Sequence, residues 1–231
     1  MKKILGWYGE DWIKIMFRPI YFYTFMEKGA WAERSLTFLL MSVWLLSFGL
    51  ALLVFFAYVF PLLAVTVSGI AGYKLIAAGF VFFLLCLCFF TLILLALGGL
   101  FAAGSLLFTA GVAWALDRAA LLFGEKKDFR ETLKAVNYSS ALSVVILLVP
   151  LLGILTKYRL LSFANFMAGT NLVLYGSLFY AWGLWSIAVK RNYGLSRKNA
   201  LTATFMVVFL VLLLLMVASF KMIPSLERWI T

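Results

Sequence analysis

The sequence predicts an all-α fold: a polytopic transmembrane helix bundle of five net crossings, drawn from six apolar segments that follow an N-terminal interfacial amphipathic helix. Three observations carry this expectation. Hydrophobic residues make up 65% of the 231-residue chain and charged residues only 13%, where a soluble domain holds about half and about a quarter. The apolar runs continue for about 20 residues without the alternation of barrel strands, and in hydrocarbon only helices or closed barrels pair every backbone amide. Most of the 20 Lys and Arg residues stand in loops and at helix ends, where they meet anionic headgroups and set orientation.

The elements follow in order. Within residues 1–34, Ile4, Leu5, Tyr8, Trp12 and Ile15 recur at helical spacing, while Glu10, Asp11, Lys14 and Arg18 are polar. That is the pattern of a helix lying on the membrane surface. Pro19 ends or kinks it. Tyr21, Phe22, Tyr23 and Phe25 then favour the headgroup layer. Met1-Lys2-Lys3 mimics a signal peptide, but Gly6, Glu10 and Asp11 interrupt the apolar stretch that such a peptide needs, so no cleavage is expected.

Residues 35–220 form the bundle and 221–231 a short tail. The apolar segments are Ser35 to Phe60, about Lys74 to Leu97, Leu100 to Leu122, Ala135 to Thr156, Phe163 to Val189 and Ala200 to Phe220. The first stops at Pro61. Only Gly98-Gly99 separates the second from the third. The fourth is preceded by a capping box, Asp128 with Glu131, which satisfies first-turn amides.

Charge placement decides among topologies. Lys2, Lys3, Lys14, Arg18, Lys28 and Arg34 precede the first segment. Arg118, Lys126, Lys127, Arg130 and Lys134 lie between the third and fourth, and Lys190, Arg191, Arg197 and Lys198 between the fifth and sixth. Lys74, Lys157, Arg159, Lys221 and Arg228 remain. With six crossings these divide ten and ten. If residues 74–122 cross only once in net, they divide fifteen and five, with the N-terminus in the cytoplasm of a cell-membrane protein and the C-terminus outside. Residues 74–122 are too long for one span at about 1.5 Å per residue. A re-entrant, tilted or partly hairpinned half turning at Gly98-Gly99 is expected, and a six-helix bundle is the alternative.

Polar groups concentrate in the fourth and fifth segments. Gly169, Gly176 and Gly183 are spaced seven apart and form one slowly drifting stripe that lets a neighbouring helix come close. Asn165, Thr170, Asn171 and Tyr180 share that segment. The fourth has Asn137, Tyr138, Ser139 and Ser140 near its start, then Pro150 and Gly153. Pro150 frees the carbonyl of Ile146 and kinks the helix. These residues read either as a polar-lined groove between the two segments or as ordinary helix–helix packing. Asp117 and Arg118 are a candidate ion pair at the end of the third segment.

Several function classes lack residues. There is no histidine, and Cys86 and Cys88 at i and i+2 point apart on a helix, so neither a metal site nor a disulfide is expected, and no cofactor. No phosphate loop, GxSxG or HExxH occurs, and no nucleophile stands beside a base, so the chain is not expected to be an enzyme. No basic stripe interleaved with stacking aromatics occurs in a solvated segment, so nucleic acid is not an expected partner.

The run Asp128-Phe129-Arg130-Glu131-Thr132-Leu133, continued by Ala135-Val136-Asn137-Tyr138-Ser139-Ser140 and Val149-Pro150-Leu151-Leu152-Gly153, resembles the bacterial type of the Yip1 family. Pro19 followed by Phe22, Phe25 and Met26, the glycine-bearing fifth segment, and Gly194-Leu195-Ser196 with Lys198-Asn199-Ala200 are similar to other parts of that family. The resemblance implies five membrane helices with a cytoplasmic N-terminus. Eukaryotic members bind Rab-type GTPases, but this chain lacks their D-L-Y-G-P motif and that role is not carried over. Some bacterial members accompany ABC exporters. The expected function is therefore a non-catalytic membrane scaffold or accessory subunit. Its expected partners are membrane lipids and other membrane proteins, ABC exporter components among them, or copies of itself. The alternative is a carrier for a small or lipid-like solute, with Asn137, Ser140, Pro150 and Asn165 along the path.

Overall fold

A computed structural model describes residues 2–26, 32–67, 74–124 and 128–230. No strand occurs among them. Five helical stretches are long and apolar enough to cross a membrane: Glu33–Val65, Ala78–Leu121, Phe129–Lys157, Phe163–Tyr193 and Arg197–Ser225. Lys28, Lys126 and Lys127 of the charge count lie outside the described residues.

Helices α1 (Lys2–Phe17) and α2 (Pro19–Phe25) meet at Pro19, which takes the first-turn position where its missing N–H costs nothing. A π-turn, Ala32–Leu36, leads into α3 (Thr37–Val54), and a second, Phe55–Val59, joins α3 to α4 (Phe60–Val67). Next comes α5 (Lys74–Leu121), a single helix of 48 residues. The turn expected at Gly98-Gly99 is not formed, and the second and third apolar segments are one rod about 72 Å long. A glycine pair weakens a helix by about 1 kcal/mol per residue, too little to break it where hydrocarbon offers its amides no other partner. Gly98 serves close approach instead. A Cβ there would lie 2.5 Å from the Trp44 ring of α3. Farther along, the Phe90 ring stands 5.7 Å from both Phe48 and Phe55, and Phe82 stands 5.9 Å from Phe60. The rods α3–α4 and α5 therefore run antiparallel.

The fourth segment is jointed into α6 (Phe129–Ser139), α7 (Leu142–Ile146) and α8 (Leu148–Lys157). Asp128 caps α6, accepting from the Arg130 amide at 2.9 Å. The joint at Leu147 is the one Pro150 dictates, since its ring displaces the carbonyl one turn earlier. The joint at Ser140–Ala141 has another cause. The Ser139 hydroxyl donates to the Val136 carbonyl, and the Ser140 amide reaches back three residues to Asn137 rather than four.

Helix α9 (Phe163–Tyr193) starts at Ser162, whose hydroxyl accepts from the Asn165 amide at 3.2 Å, and stops at Gly194 in the left-handed conformation, φ 65°. Helix α10 (Arg197–Val217) is capped in the same way by Ser196 and passes through a π-turn, Ala218–Met222, into the short helices α11 (Ile223–Ser225) and α12 (Glu227–Ile230). The C-terminal residues are not a loose tail: Ile223 and Ile230 pack with Phe166.

Contacts sort the loops into two ends. Gly124 touches Leu195, Thr132 meets Tyr193, and the α1–α2 pair packs on Phe38, Ala135, Tyr138 and Leu184. At the other end Tyr158 donates to the Phe56 carbonyl and the Tyr58 ring meets Trp229. Lys14, Arg18, Arg34, Arg118, Arg130, Lys134, Lys190, Arg191, Arg197 and Lys198 thus gather at one end. Lys157, Arg159, Lys221 and Arg228 stand at the other.

Candidate functional site

Four consecutive polar residues, Asn137, Tyr138 and Ser139 of α6 and Ser140 just after it, face in different directions, as the 100° step of a helix requires. Asn137 is buried toward the start of α3, its amide donating to the Ser35 hydroxyl at 3.4 Å and its carbonyl oxygen left without a hydrogen-bond partner. The Tyr138 ring stacks 4.9 Å from Phe22 of α2 and 5.3 Å from Phe38 of α3. Ser139 accepts from the Trp185 indole at 3.0 Å. Of these four, Ser139 and Ser140 line the cavity between the long helices.

That cavity, of about 220 Å³, is a half-open cleft between α3, α5, α6, α7, α9 and α10. Its walls are mostly aliphatic, with hydroxyls from Ser105, Thr109, Ser139, Ser140, Ser143 and Ser177. The buried hydroxyls of Ser140 and Ser177 have no hydrogen-bond partner among the described residues. An unpaired buried hydroxyl costs about 1–3 kcal/mol, so the cavity offers hydrogen bonds to a guest.

The other predicted residues form packing contacts rather than a continuation of this space. Pro150 and Gly153 hold α8 against α3: a Cβ on Gly153 would lie 3.3 Å from Leu53, and one on Gly49 would lie 3.5 Å from Pro150. Gly169 accepts α8 from the other side, with Leu152 at 2.9 Å from its Cβ position. Asn165 is exposed at the start of α9, at the end of the bundle opposite Asn137. The structure does not bring Asn137, Ser140, Pro150 and Asn165 together along one path. Gly176 and Gly183 have no atom within 4 Å of their Cβ positions and lie on the outer face of α9, beside the exposed Leu172 and Phe179. Gly104 and Gly111 of α5 are also open outward. They stand seven residues apart, the same spacing as the α9 glycines.

The ion pair expected between Asp117 and Arg118 is not formed among the described residues. Being adjacent, the two diverge: Arg118 lies over the Trp114 ring at 5.9 Å, whereas Asp117 is buried and accepts a hydrogen bond from the Tyr193 hydroxyl. Tyr193 also meets Thr132 at 3.3 Å, and the Asn192 amide donates to Thr132 at 2.8 Å. This network ties the end of α5 to the start of α6 and the end of α9.

The N-terminal helices are fastened by polar contacts that sequence periodicity misses. Asp11 falls on the buried face, not the solvent face, and accepts from Nε and Nη2 of Arg34 at 2.9 and 3.0 Å. Burial pushes its carboxyl above the usual value, and the Arg34 guanidinium works against that rise. Tyr8 shares a hydrogen bond of 2.9 Å with Ser42, the Trp12 indole donates to the Ala141 carbonyl at 2.9 Å, and Tyr180 donates to the Met16 carbonyl at 2.7 Å. Burial raises the Tyr8 phenol as well. Arg191 donates to the carbonyls of Tyr23 and Met26.

No group of three or more metal-binding side chains occurs among the described residues. Set beside known proteins, the chain matches no family model, no curated protein and no solved structure.

Proposed function

We propose that this protein is a non-catalytic membrane scaffold or accessory subunit that assembles through the outer glycine face of α9. It crosses the cell membrane five times in net, with the basic end and the N-terminus in the cytoplasm and α1–α2 lying at the interface. The observation that carries the reading is the open surface at Gly176 and Gly183. Glycine inside a helix costs about 1 kcal/mol, and close approach of another helix is the compensation it offers in lipid. Among the described residues only Gly169 of the three has such a neighbour. The bacterial Yip1-like pattern supports the same reading and makes exporter components or a second copy of the chain the expected partners.

A second reading, a carrier or binding protein for a lipid-like solute, is favoured by the unpaired Ser140 and Ser177 hydroxyls in the half-open cleft between the long helices. The two are separated in a Cys86→Ala, Cys88→Ala background. Oxidation of Gly176→Cys in native membranes is expected to yield a covalent adduct of this chain with a neighbour, which Leu210→Cys on exposed α10 does not give. Gly176→Ile is expected to abolish the assembly without unfolding the bundle. A chain that stays monomeric throughout, yet moves a solute across liposomes that contain it alone, overturns the scaffold reading in favour of the second.

A further inference from the structure

The hydroxyls that line the cleft between the long helices are of two kinds. The Ser139 hydroxyl donates to the Val136 carbonyl, and that of Thr109 to the Leu106 carbonyl at 3.2 Å, so both protons are taken. Those of Ser140 and Ser177 are not: both oxygens are buried, and neither has a hydrogen-bond partner among the described residues. Ser177 is only 8% exposed and stands near the middle of α9, one of the helices long and apolar enough to cross a membrane. A serine there commonly gives its proton to its own backbone one turn back, and Ser177 does not. The hydrocarbon around such a helix holds no water to take it instead.

The rest of the lining narrows the guest. No charged side chain occurs among the described residues of the cleft, whose walls are chiefly aliphatic, with Leu39, Val43, Ile146 and Leu178 among them. An ionised headgroup would stand there unpaired, at high cost. Phe108 of α5 is 49% exposed, and Leu174 of α9 and Val211 and Leu215 of α10 are half-buried, so the rim opens sideways toward lipid. An apolar cavity of about 150 Å³ takes benzene, so one of about 220 Å³ takes a polar group with a short length of hydrocarbon. A hydroxyl has one proton to give, and two such protons are unspent here. The matching guest brings oxygen acceptors and no charge.

We propose that the cleft holds the carbonyl end of an uncharged lipid, with Ser140 and Ser177 donating to its oxygen atoms and its hydrocarbon chain leaving past Phe108. The inference rests on the second reading above in taking the cleft to be occupied. It adds the chemistry of the occupant, and it holds whether that occupant is carried across or stays as part of the bundle.

The test uses the full-length protein in phosphatidylcholine nanodiscs and three photoreactive probes of equal chain length: a fatty acid methyl ester, the corresponding alkane, and the fatty acid as its carboxylate. Each carries one diazirine, and cross-links to cleft residues are located and titrated by mass spectrometry. The ester is expected to label the cleft at lower concentration than either the alkane or the carboxylate. Ser177→Ala and Ser140→Ala should each weaken the ester about 5-fold, the loss of one hydrogen bond, and leave the alkane unchanged. Ser186→Ala, which removes an exposed hydroxyl bonded to the Gly183 carbonyl, should leave all three unchanged. Without ester, the Ser177 and Ser140 variants should melt no lower than the parent, since each loses only an unpaired hydroxyl. A lower melting temperature would show those hydroxyls already paired and overturns the proposal. Cleft labelling by ester that is matched by alkane or carboxylate, or that neither serine change weakens, overturns the carbonyl assignment and leaves the cleft a lipid site. Absence of cleft labelling by every probe overturns the second reading together with the proposal.

Discussion

Arg34→Ala is expected to destabilise the protein by about 2–3 kcal/mol and to release the N-terminal helices, because it strands a carboxylate that is 4% exposed. The guanidinium itself is 49% exposed, so screening limits what the pair contributes, and most of the loss is the cost of leaving Asp11 buried and unpaired. Asp11→Asn in the same background should recover most of it. Thermal unfolding in lipid nanodiscs measures the change, and faster tryptic cleavage after Lys14 reports the release. The pH dependence has a definite sign. A carboxyl raised above its unfolded value adds stability that is present below that unfolded value and is lost as pH rises through the folded one. Asp11 is raised by burial, and Arg34 opposes the rise. Removing Arg34 therefore raises it further, and the gap between variant and parent should narrow as pH falls from 7 toward about 4. A gap that widens on acidification contradicts this account of Asp11.

Tyr193→Phe is expected to cost about 2–3 kcal/mol, since a hydrogen bond to a buried carboxylate is lost and the acceptor cannot return to water. Asp117 is only 6% exposed, and Thr132 and Asn192 remain to hold α6 to α9. The Asp117→Leu, Tyr193→Phe double variant should be milder than the sum of the single changes, because removing both partners leaves no orphaned group. Nanodisc unfolding of the four proteins completes the cycle, and additive losses would show that the two residues do not act together.

The fold class was legible because apolar composition and continuous runs are chain-wide properties, and five long apolar helices follow from them. The Asp128 cap and the Pro150 joint were legible because each acts within about one turn. What escaped depended on partners far away in sequence. Gly98 has the same local signature whether it turns a chain or receives an indole, and only Trp44 distinguishes the two. Asp11 looks solvent-facing until Arg34 stands beside it. Asp117 looks paired with its neighbour until Tyr193 arrives from α9. The groove imagined along Asn137, Ser140, Pro150 and Asn165 joined residues by polarity, whereas helical phase and an antiparallel arrangement separate them. Ser177 gave no local signal, since a serine in an apolar helix commonly bonds its own backbone.

The sidedness of the two ends tests the central claim most directly. Single cysteines are placed at Ser196, between α9 and α10, and at Leu160, between α8 and α9, in the Cys86→Ala, Cys88→Ala chain. Intact cells are treated with a membrane-impermeant maleimide before and after permeabilisation. The account predicts that residue 160 is labelled from outside and residue 196 only after the membrane is opened. Labelling of both positions from the same side would contradict a bundle whose cationic and cation-poor ends lie across a bilayer from each other.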